Sequence, residues 1–163
     1  MISFVVPAHN EEQHLAAALE AIHVAARSTN EPYEIVLADD DSGDRTHDIA
    51  VERGAVVVDV NYRHIAATRN AGARAASGEV LFFVDADTIV TPDVVPQALQ
   101  ALRTGAIGGG ATVRFDGPLP LHFRLLIRTT VAASRATKLA FGCFIFCRRD
   151  AFDAVGGFNE TLY

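Results

Sequence analysis

Short apolar runs of strand length alternate along this chain with stretches in which apolar residues recur every three or four positions. Such alternation predicts an α/β domain with a largely parallel sheet, since a helix after each strand carries the chain back over the sheet. A first strand is expected over residues 2–6. The helix after it opens on Asn10 as N-cap, with Gln13 at capping-box spacing and Leu15, Leu19 and Ile22 on one face. A second strand at 34–38 meets an acidic turn and a helix reaching about Arg53, where Gly54 can serve as C′ residue. Residues 55–60 read as strand three, 64–77 as a small-residue helix stopped by Gly78, and 79–84 as strand four. Thr91, Pro92 and Asp93 form a helix start of N-cap, N1 proline and first-turn acid; Val94, Ala98, Leu99 and Leu102 make its buried stripe and Gly105 its stop. A glycine-led strand from Gly108, a helix over 119–138, a strand through 141–147 and a short helix from Arg149 complete the pattern.

Composition narrows the class. At 163 residues, half of them hydrophobic and a fifth charged, the chain is expected to form one globular domain, 1–163, with a sizeable core. Its net charge is −6 and Lys138 is its one lysine, which argues against a nucleic-acid partner, since phosphate-tracking proteins carry clustered cations. The start has no basic region ahead of a long apolar core, and the richest apolar segment, 119–147, is interrupted by Arg124, Arg128, Arg135 and Lys138. Neither a signal peptide nor a membrane span is expected. On a helix over 119–138 those four cations share one narrow sector, which could touch a membrane surface or a lipid-phosphate acceptor, although a solvated face is the simpler reading. Cys143 and Cys147 match no zinc or redox spacing and read as reduced core residues; the six histidines show no ligand-like spacing and receive no role. The expected location is cytoplasmic, with the inner face of the membrane as a further option.

Candidate chemistry sits directly after three strands: Pro7 to Glu12 after the first, Asp39 to Asp44 after the second, and Asp85-Ala86-Asp87 after the fourth. In a parallel sheet the carboxyl ends of the strands share one edge, so these clusters converge. Residues i and i+2 of an extended segment point to one side, so Asp85 and Asp87 are expected to aim at a common point. Two unit charges 4 Å apart repel by about 1 kcal/mol in water and about 4 kcal/mol at an effective dielectric near 20. A positive group is therefore expected among them, and oxygen ligands with open positions suit Mg2+ or Mn2+. Turn residues leaving a strand, a helix cap at Asn10, a solvated cation at Arg69 and a hydrophilic turn over 39–44 are the plainer alternatives.

The stretches "FVVPAHNEEQHL", "EIVLADDDSGDRTHDIA", "IAATRNAGARAASGEVLFFVDADTIV" and "GCFIFCRRDAFDAVGGFNE" resemble, in order and spacing, family 2 glycosyltransferases of the GT-A fold. The resemblance spans nearly the whole chain. It implies a three-layer α/β/α, Rossmann-like fold with a mostly parallel central sheet, a nucleotide-diphospho-sugar donor, an Asp-x-Asp metal site and transfer to an acceptor hydroxyl with inversion. By that resemblance Pro7, Ala8, Asn10 and Glu11 hold the nucleotide, Asp39 accepts from the base with Asp40 beside it, and Asp41 stands where the family usually has glycine. Arg69 and Asn70 match the element near the diphosphate, Asp85 lies by the ribose and near the metal, and Asp87 is the main metal ligand. The acceptor, whether sugar, lipid-linked or protein, is not implied. The acidic motif that carries the family's general base follows the "GGFNE" element, and Glu160 belongs to that element itself. The base is therefore expected beyond Tyr163, leaving a donor-binding body without its acceptor side.

Two other classes compete. A nucleotide-sugar-binding module without turnover shares every feature except the base. A haloacid-dehalogenase-type phosphatase also places Asp-x-Asp after an apolar strand with Mg2+, but there Gly-Thr follows on the first strand, whereas here Thr88-Ile89 follows on the fourth. A dinucleotide oxidoreductase lacks its G-x-G-x-x-G turn after the first strand.

Overall fold

The computed structural model describes residues 1–112, 120, 123, 129–130 and 142–161. Within them a single sheet contains β1 (Ile2–Ala8), β2 (Tyr33–Asp40), β3 (Val56–Val60), β4 (Val80–Val84), β5 (Gly108–Gly110) and β6 (Phe144–Arg148). The described helices are α1 (Leu15–Arg27), α2 (Thr46–Glu52), α3 (Ile65–Ala75), α4 (Val94–Arg103) and α5 (Arg149–Ala154). Strand order is β3-β2-β1-β4-β6-β5; the first four strands run parallel, and β6 runs antiparallel to both β4 and β5. The chain winds outward from β1 through β2 to β3 and then returns to place β4 on the other side of β1. A reversal of this kind opens a crevice at the carboxyl ends of the two central strands.

Both faces of the sheet are buried, which is why β1 and β4 read as unbroken apolar runs. On one face Phe4, Val6, Leu37, Phe82 and Val84 pack with Leu15, Leu19 and Ile22 of α1, Ala50 of α2 and Val95, Ala98 and Leu99 of α4. Phe4 stacks on Phe82 with ring centroids 5.1 Å apart. The opposite face gathers Val5, Val36, Leu81 and Phe83 against Ala73 and Ala76, with Phe152 and Phe158 closing over it. Alternation along each strand thus makes three layers, and it fixes which layer every strand-end residue meets.

Helix α3 lies close because its inward residues are small. A Cβ on Gly72 would fall 2.5 Å from Val5 Cγ1. Gly78, expected as the helix stop, has another duty: α3 ends at Ala75, and a Cβ on Gly78 would meet Ser3 Oγ at 2.5 Å and Ser3 N at 2.8 Å. The helix end is capped instead by Arg149, whose guanidinium donates to the carbonyls of Ala73, Ala76 and Gly78 at 3.1, 2.8 and 2.6 Å.

Other boundaries shift for local reasons. Asn10 is not the cap of α1: it adopts φ +57, and the helix begins at Leu15 after a turn in which His14 N and Leu15 N donate to Glu11 O. Gln13 consequently falls before the helix and forms no capping box. Regular α4 starts at Val94, with a preceding turn from Thr91, so Pro92 sits outside the helix; Val95 is buried where Val94 and Leu102 are half-buried. Gly54 (φ +76) and Gly105 (φ +105) do follow the caps of α2 and α4 in left-handed geometry, as their spacing predicted. Cys143 and Cys147 are both free and half-buried, and burial pushes the Cys147 thiol up to about 11. The expected helix over 119–138, with its sector of Arg124, Arg128, Arg135 and Lys138, lies mainly outside the described residues. Among those that are described, no helix is long and apolar enough to cross a membrane.

Candidate functional site

The loop after β1 is tied to the loop after β2 by hydrogen bonds between its own backbone and polar side chains. Asn10 N donates to Ser42 Oγ at 2.9 Å, Gly43 N donates to Asn10 Oδ1 at 2.8 Å, and Glu11 N donates to Thr46 Oγ1 at 2.7 Å. Pro7 and Ala8 are buried at the strand end, while Asn10 is exposed and Glu11 half-buried at the rim. Asp41 adopts φ +58, the region that favours glycine, which accounts physically for the glycine usual at this place.

Asp39 and Asp40 part company because they are neighbours on one strand. Asp39 faces the α1–α2 layer, where its Oδ1 accepts from Ser42 N at 3.2 Å and its Oδ2 lies 3.8 Å from His47 Nδ1. His47 Nδ1 is also 3.0 Å from Asp59 Oδ1, and the ligand atoms of these three residues lie within 4.8 Å of one another. No motif spacing marks positions 39, 47 and 59; only the pairing of β2 with β3 and the return of α2 unite them. Asp40 faces α3. Its Oδ1 accepts from Tyr62 N and Arg63 N at 2.7 and 3.1 Å, and its Oδ2 from His64 N and Thr68 Oγ1 at 3.4 and 2.9 Å. Burial alone pushes the Asp40 carboxyl up, but the donors outweigh it and hold the group below the usual aspartate value.

Asp85, one residue past β4, also turns toward α3. It forms an ion pair with Arg69 at 2.5 Å, with side chains 32% and 14% exposed. The extended geometry expected across Asp85 to Asp87 is not adopted: Thr88 N donates to Asp85 O at 3.0 Å, so the two aspartates occupy a tight turn rather than one side of a strand. The positive group expected beside them is, at Asp85, an arginine of the chain itself. Asp87 is exposed, with Thr88 Oγ1 at 3.5 Å. Each offers the hard carboxylate oxygens that suit Mg2+ or Mn2+; Asp87 is the one open to solvent, while Asp85 is half-buried against Arg69.

Asn70, expected near a diphosphate, is committed elsewhere. Its amide donates to Phe158 O at 2.9 Å and Glu160 Oε1 at 2.8 Å, and its Oδ1 accepts from Phe158 N at 2.9 Å. These bonds hold the segment from Gly157 to Glu160 against α3, with Arg69 5.4 Å from the Phe158 ring centroid. Gly157 is required there: it adopts φ +83, and a Cβ would meet Asn70 Oδ1 at 2.6 Å.

A cleft of about 280 Å3 opens between the ends of β1 and β2 and the start of α3. Pro7, Ala8 and Ile65 supply its apolar walls, and His9, Asp40, Arg63, His64 and Thr68 its polar lining. Of these, Arg63, His9, His64 and Thr68 escaped the sequence reading. A polar "NYRH" segment ending in a helix cap at His64 was the available signal.

A mostly parallel sheet flanked by helices, with polar side chains gathered at the strand ends, is the architecture of the GT-A glycosyltransferases, and the solved structures agree. The chain matches the mannosyltransferase PcManGT of Pyrobaculum calidifontis, determined with GDP-Man and Mn2+, at TM-score 0.78 and 22% identity over 98% of this chain and 48% of that one. It matches S. aureus TarS in complex with UDP-GlcNAc at TM-score 0.71 and 20% identity, over 99% and 49%. The glycosyl transferase family 2 model matches residues 3–156, and this chain belongs to that family. The undecaprenyl-phosphate 4-deoxy-4-formamido-L-arabinose transferase of Pseudomonas fluorescens is 30% identical over 94% of this chain and 48% of its own length. The dolichol-phosphate mannosyltransferase of Pyrococcus furiosus is 32% identical, over 96% and 45%. The chain thus spans about half the length of these relatives.

Proposed function

We propose that this chain is the donor-binding half of an inverting glycosyltransferase. It takes a nucleotide-diphospho-sugar, uses Mg2+ or Mn2+ at Asp85 and Asp87, and passes the sugar to an acceptor hydroxyl or phosphate. The observation that carries the reading is the Arg69–Asp85 ion pair at the β1/β4 crevice, where family membership implies a diphosphate. As the sugar–phosphate bond breaks, negative charge grows on the leaving diphosphate; Arg69, fixed by Asp85 and packed near Phe158, supplies a preorganised cation for that charge. A bound divalent ion would add Lewis-acid stabilisation of the same leaving group. Pro7, Ala8 and the loop to Glu11 hold the nucleotide end, which Asp40 borders, while Asp39 faces the α1–α2 layer. Asn70 acts by holding the Gly157–Glu160 segment beside the crevice rather than by touching phosphate.

The names of the relatives favour a polyprenyl-phosphate acceptor and with it work at a membrane surface. The general base is assigned to the half of the relatives' length that this chain does not span. Isothermal titration of GDP, UDP and dTDP sugars in Mn2+ is expected to give saturable binding that weakens at least about tenfold in Asp87→Ala. Tight binding in EDTA, or an unaffected variant, defeats the metal assignment. Equal binding with no sugar transfer after the chain is extended past Tyr163 would favour a binding module without turnover.

A further inference from the structure

We propose that Asp39, His47 and Asp59 form a second metal site, one that binds Zn2+ and ties β2, α2 and β3 together on the face of the sheet turned away from α3. The site shares no residue with the Asp85–Asp87 end of β4, so it stands whether or not the chain takes a sugar nucleotide.

The register of the sheet creates the need for a cation. Asp39 and Asp59 are direct partners in the parallel ladder of β2 and β3, so their side chains stand next to each other on one face. Like charges placed this way repel. Helix α2 returns over that face and brings His47 Nδ1 to 3.0 Å from Asp59 Oδ1 and 3.8 Å from Asp39 Oδ2. Among the described residues, no arginine or lysine forms an ion pair with either carboxylate.

Hydrogen bonding leaves the group incomplete. The Asp39 side chain is only 5% exposed, and while its Oδ1 accepts from Ser42 N at 3.2 Å, its Oδ2 has no donor within hydrogen-bond reach among the described residues. His47 does not fill that gap. A ring nitrogen carries at most one hydrogen, and the one on Nδ1 goes to the nearer carboxylate, Asp59, which is 74% exposed and needs it least. An ion in place of that hydrogen meets all three ligand atoms, including the free oxygen of the buried acid. One imidazole nitrogen and two carboxylate oxygens suit Zn2+, whereas Mg2+ sites are built from oxygen alone. Bonds of about 2.0–2.2 Å around a tetrahedral ion set its ligands about 3.3–3.6 Å apart, between the 3.0 and 3.8 Å separations found here. All three atoms lie within 4.8 Å of one another, and the accessible side chains of His47 and Asp59 can close the set while water takes the fourth position.

Zn2+ alone is titrated calorimetrically into metal-free protein: the wild type, His47→Ala, Asp59→Asn and Asp87→Ala. Asp87→Ala, in which the end of β4 has lost its exposed carboxylate, is expected to take up one equivalent and to gain ~5–10 °C in Tm at about a hundredfold excess over the dissociation constant. His47→Ala and Asp59→Asn should each weaken that uptake at least about tenfold and lose most of the thermal shift. Asp59→Asn keeps the shape of an exposed side chain, so its loss of zinc reports the ligand rather than the fold. Absence of saturable uptake by the wild type, uptake unchanged in Asp59→Asn, or uptake abolished in Asp87→Ala overturns the proposal.

Discussion

Asp40 shows how a residue that looks like a ligand on paper becomes part of the frame. Its carboxylate is 6% exposed and accepts from four donors, three of them backbone N–H groups at the entrance to α3. Replacing it by asparagine keeps the shape but removes the charge and sets an amide N–H against His64 N and Thr68. Asp40→Asn is expected to cost about 2 kcal/mol, or ~4–8 °C in Tm, checked by thermal and urea unfolding. The pH dependence has a definite sign. Burial raises the pKa of this group and the donors lower it further still, so the folded pKa lies below the ordinary 3.8. A group shifted downward stabilises the fold above its unfolded pKa and gives that stability up as pH falls through it toward the folded value. The wild type should therefore lose part of its stability between about pH 5 and pH 3, and Asp40→Asn should lose less over the same interval. None of this was legible in "ADDDSGD", where Asp39, Asp40 and Asp41 look interchangeable. The strand period separates them: Asp39 turns toward α2, Asp40 toward α3, and Asp41 leaves the strand in a left-handed conformation.

At the level of elements, helix α3 brings Thr68 and Arg69 to the strand ends, and two glycines set how closely that helix sits. A methyl group on Gly78 would run into Ser3 N and Ile2 C at 2.8 and 2.9 Å, which are backbone atoms of the central strand and cannot step aside. On Gly72 it would press on Val5 Cγ1, a side chain, and alanine's better helix propensity offsets part of the damage. Gly54 has open space around it and is constrained only by φ +76. The expected order of destabilisation by alanine is thus Gly78 at about 2–3 kcal/mol, then Gly72 at about 1–2, then Gly54 at about 1. Denaturant midpoints of the three variants check it, and a Gly72→Ala cost exceeding that of Gly78→Ala would contradict the close packing of the 76–79 turn on β1. Periodicity revealed that each of these elements exists, because every central strand is a doubly buried apolar run. It did not reveal the start of α1, since the hydrogen bonds that tether the 8–12 loop come from Ser42, Gly43, Thr46 and Asp44, more than thirty residues away. Nor did it reveal that β6 inserts between β4 and β5, because strand order is decided by non-local pairing rather than by any residue within the strand.

Across the whole molecule the balance of charge decides how a polyanion can enter. The chain carries a net −6 and carboxylates follow β1, β2 and β4, with the charge of Arg69 partly offset by Asp85. A diphosphate arriving alone meets repulsion, and a divalent ion arriving alone finds Asp85 partly neutralised; each makes room for the other. Such linkage predicts synergy in thermal stability. Mn2+ alone and UDP or GDP alone should each move Tm by no more than about 1 °C, whereas both together, near a hundredfold above the dissociation constant, should add about 2.7 kcal/mol and shift Tm by ~5–10 °C. Two variants locate the ion. Asp87→Ala should abolish the synergy, and His47→Ala, which breaks the Asp39–His47–Asp59 cluster, should leave it intact. Purely additive shifts would mean that metal and nucleotide occupy unconnected places. Loss of synergy in His47→Ala with retention in Asp87→Ala would move the metal from the end of β4 to the β2–β3 side of the sheet, and with it the assignment of which strand ends hold the diphosphate.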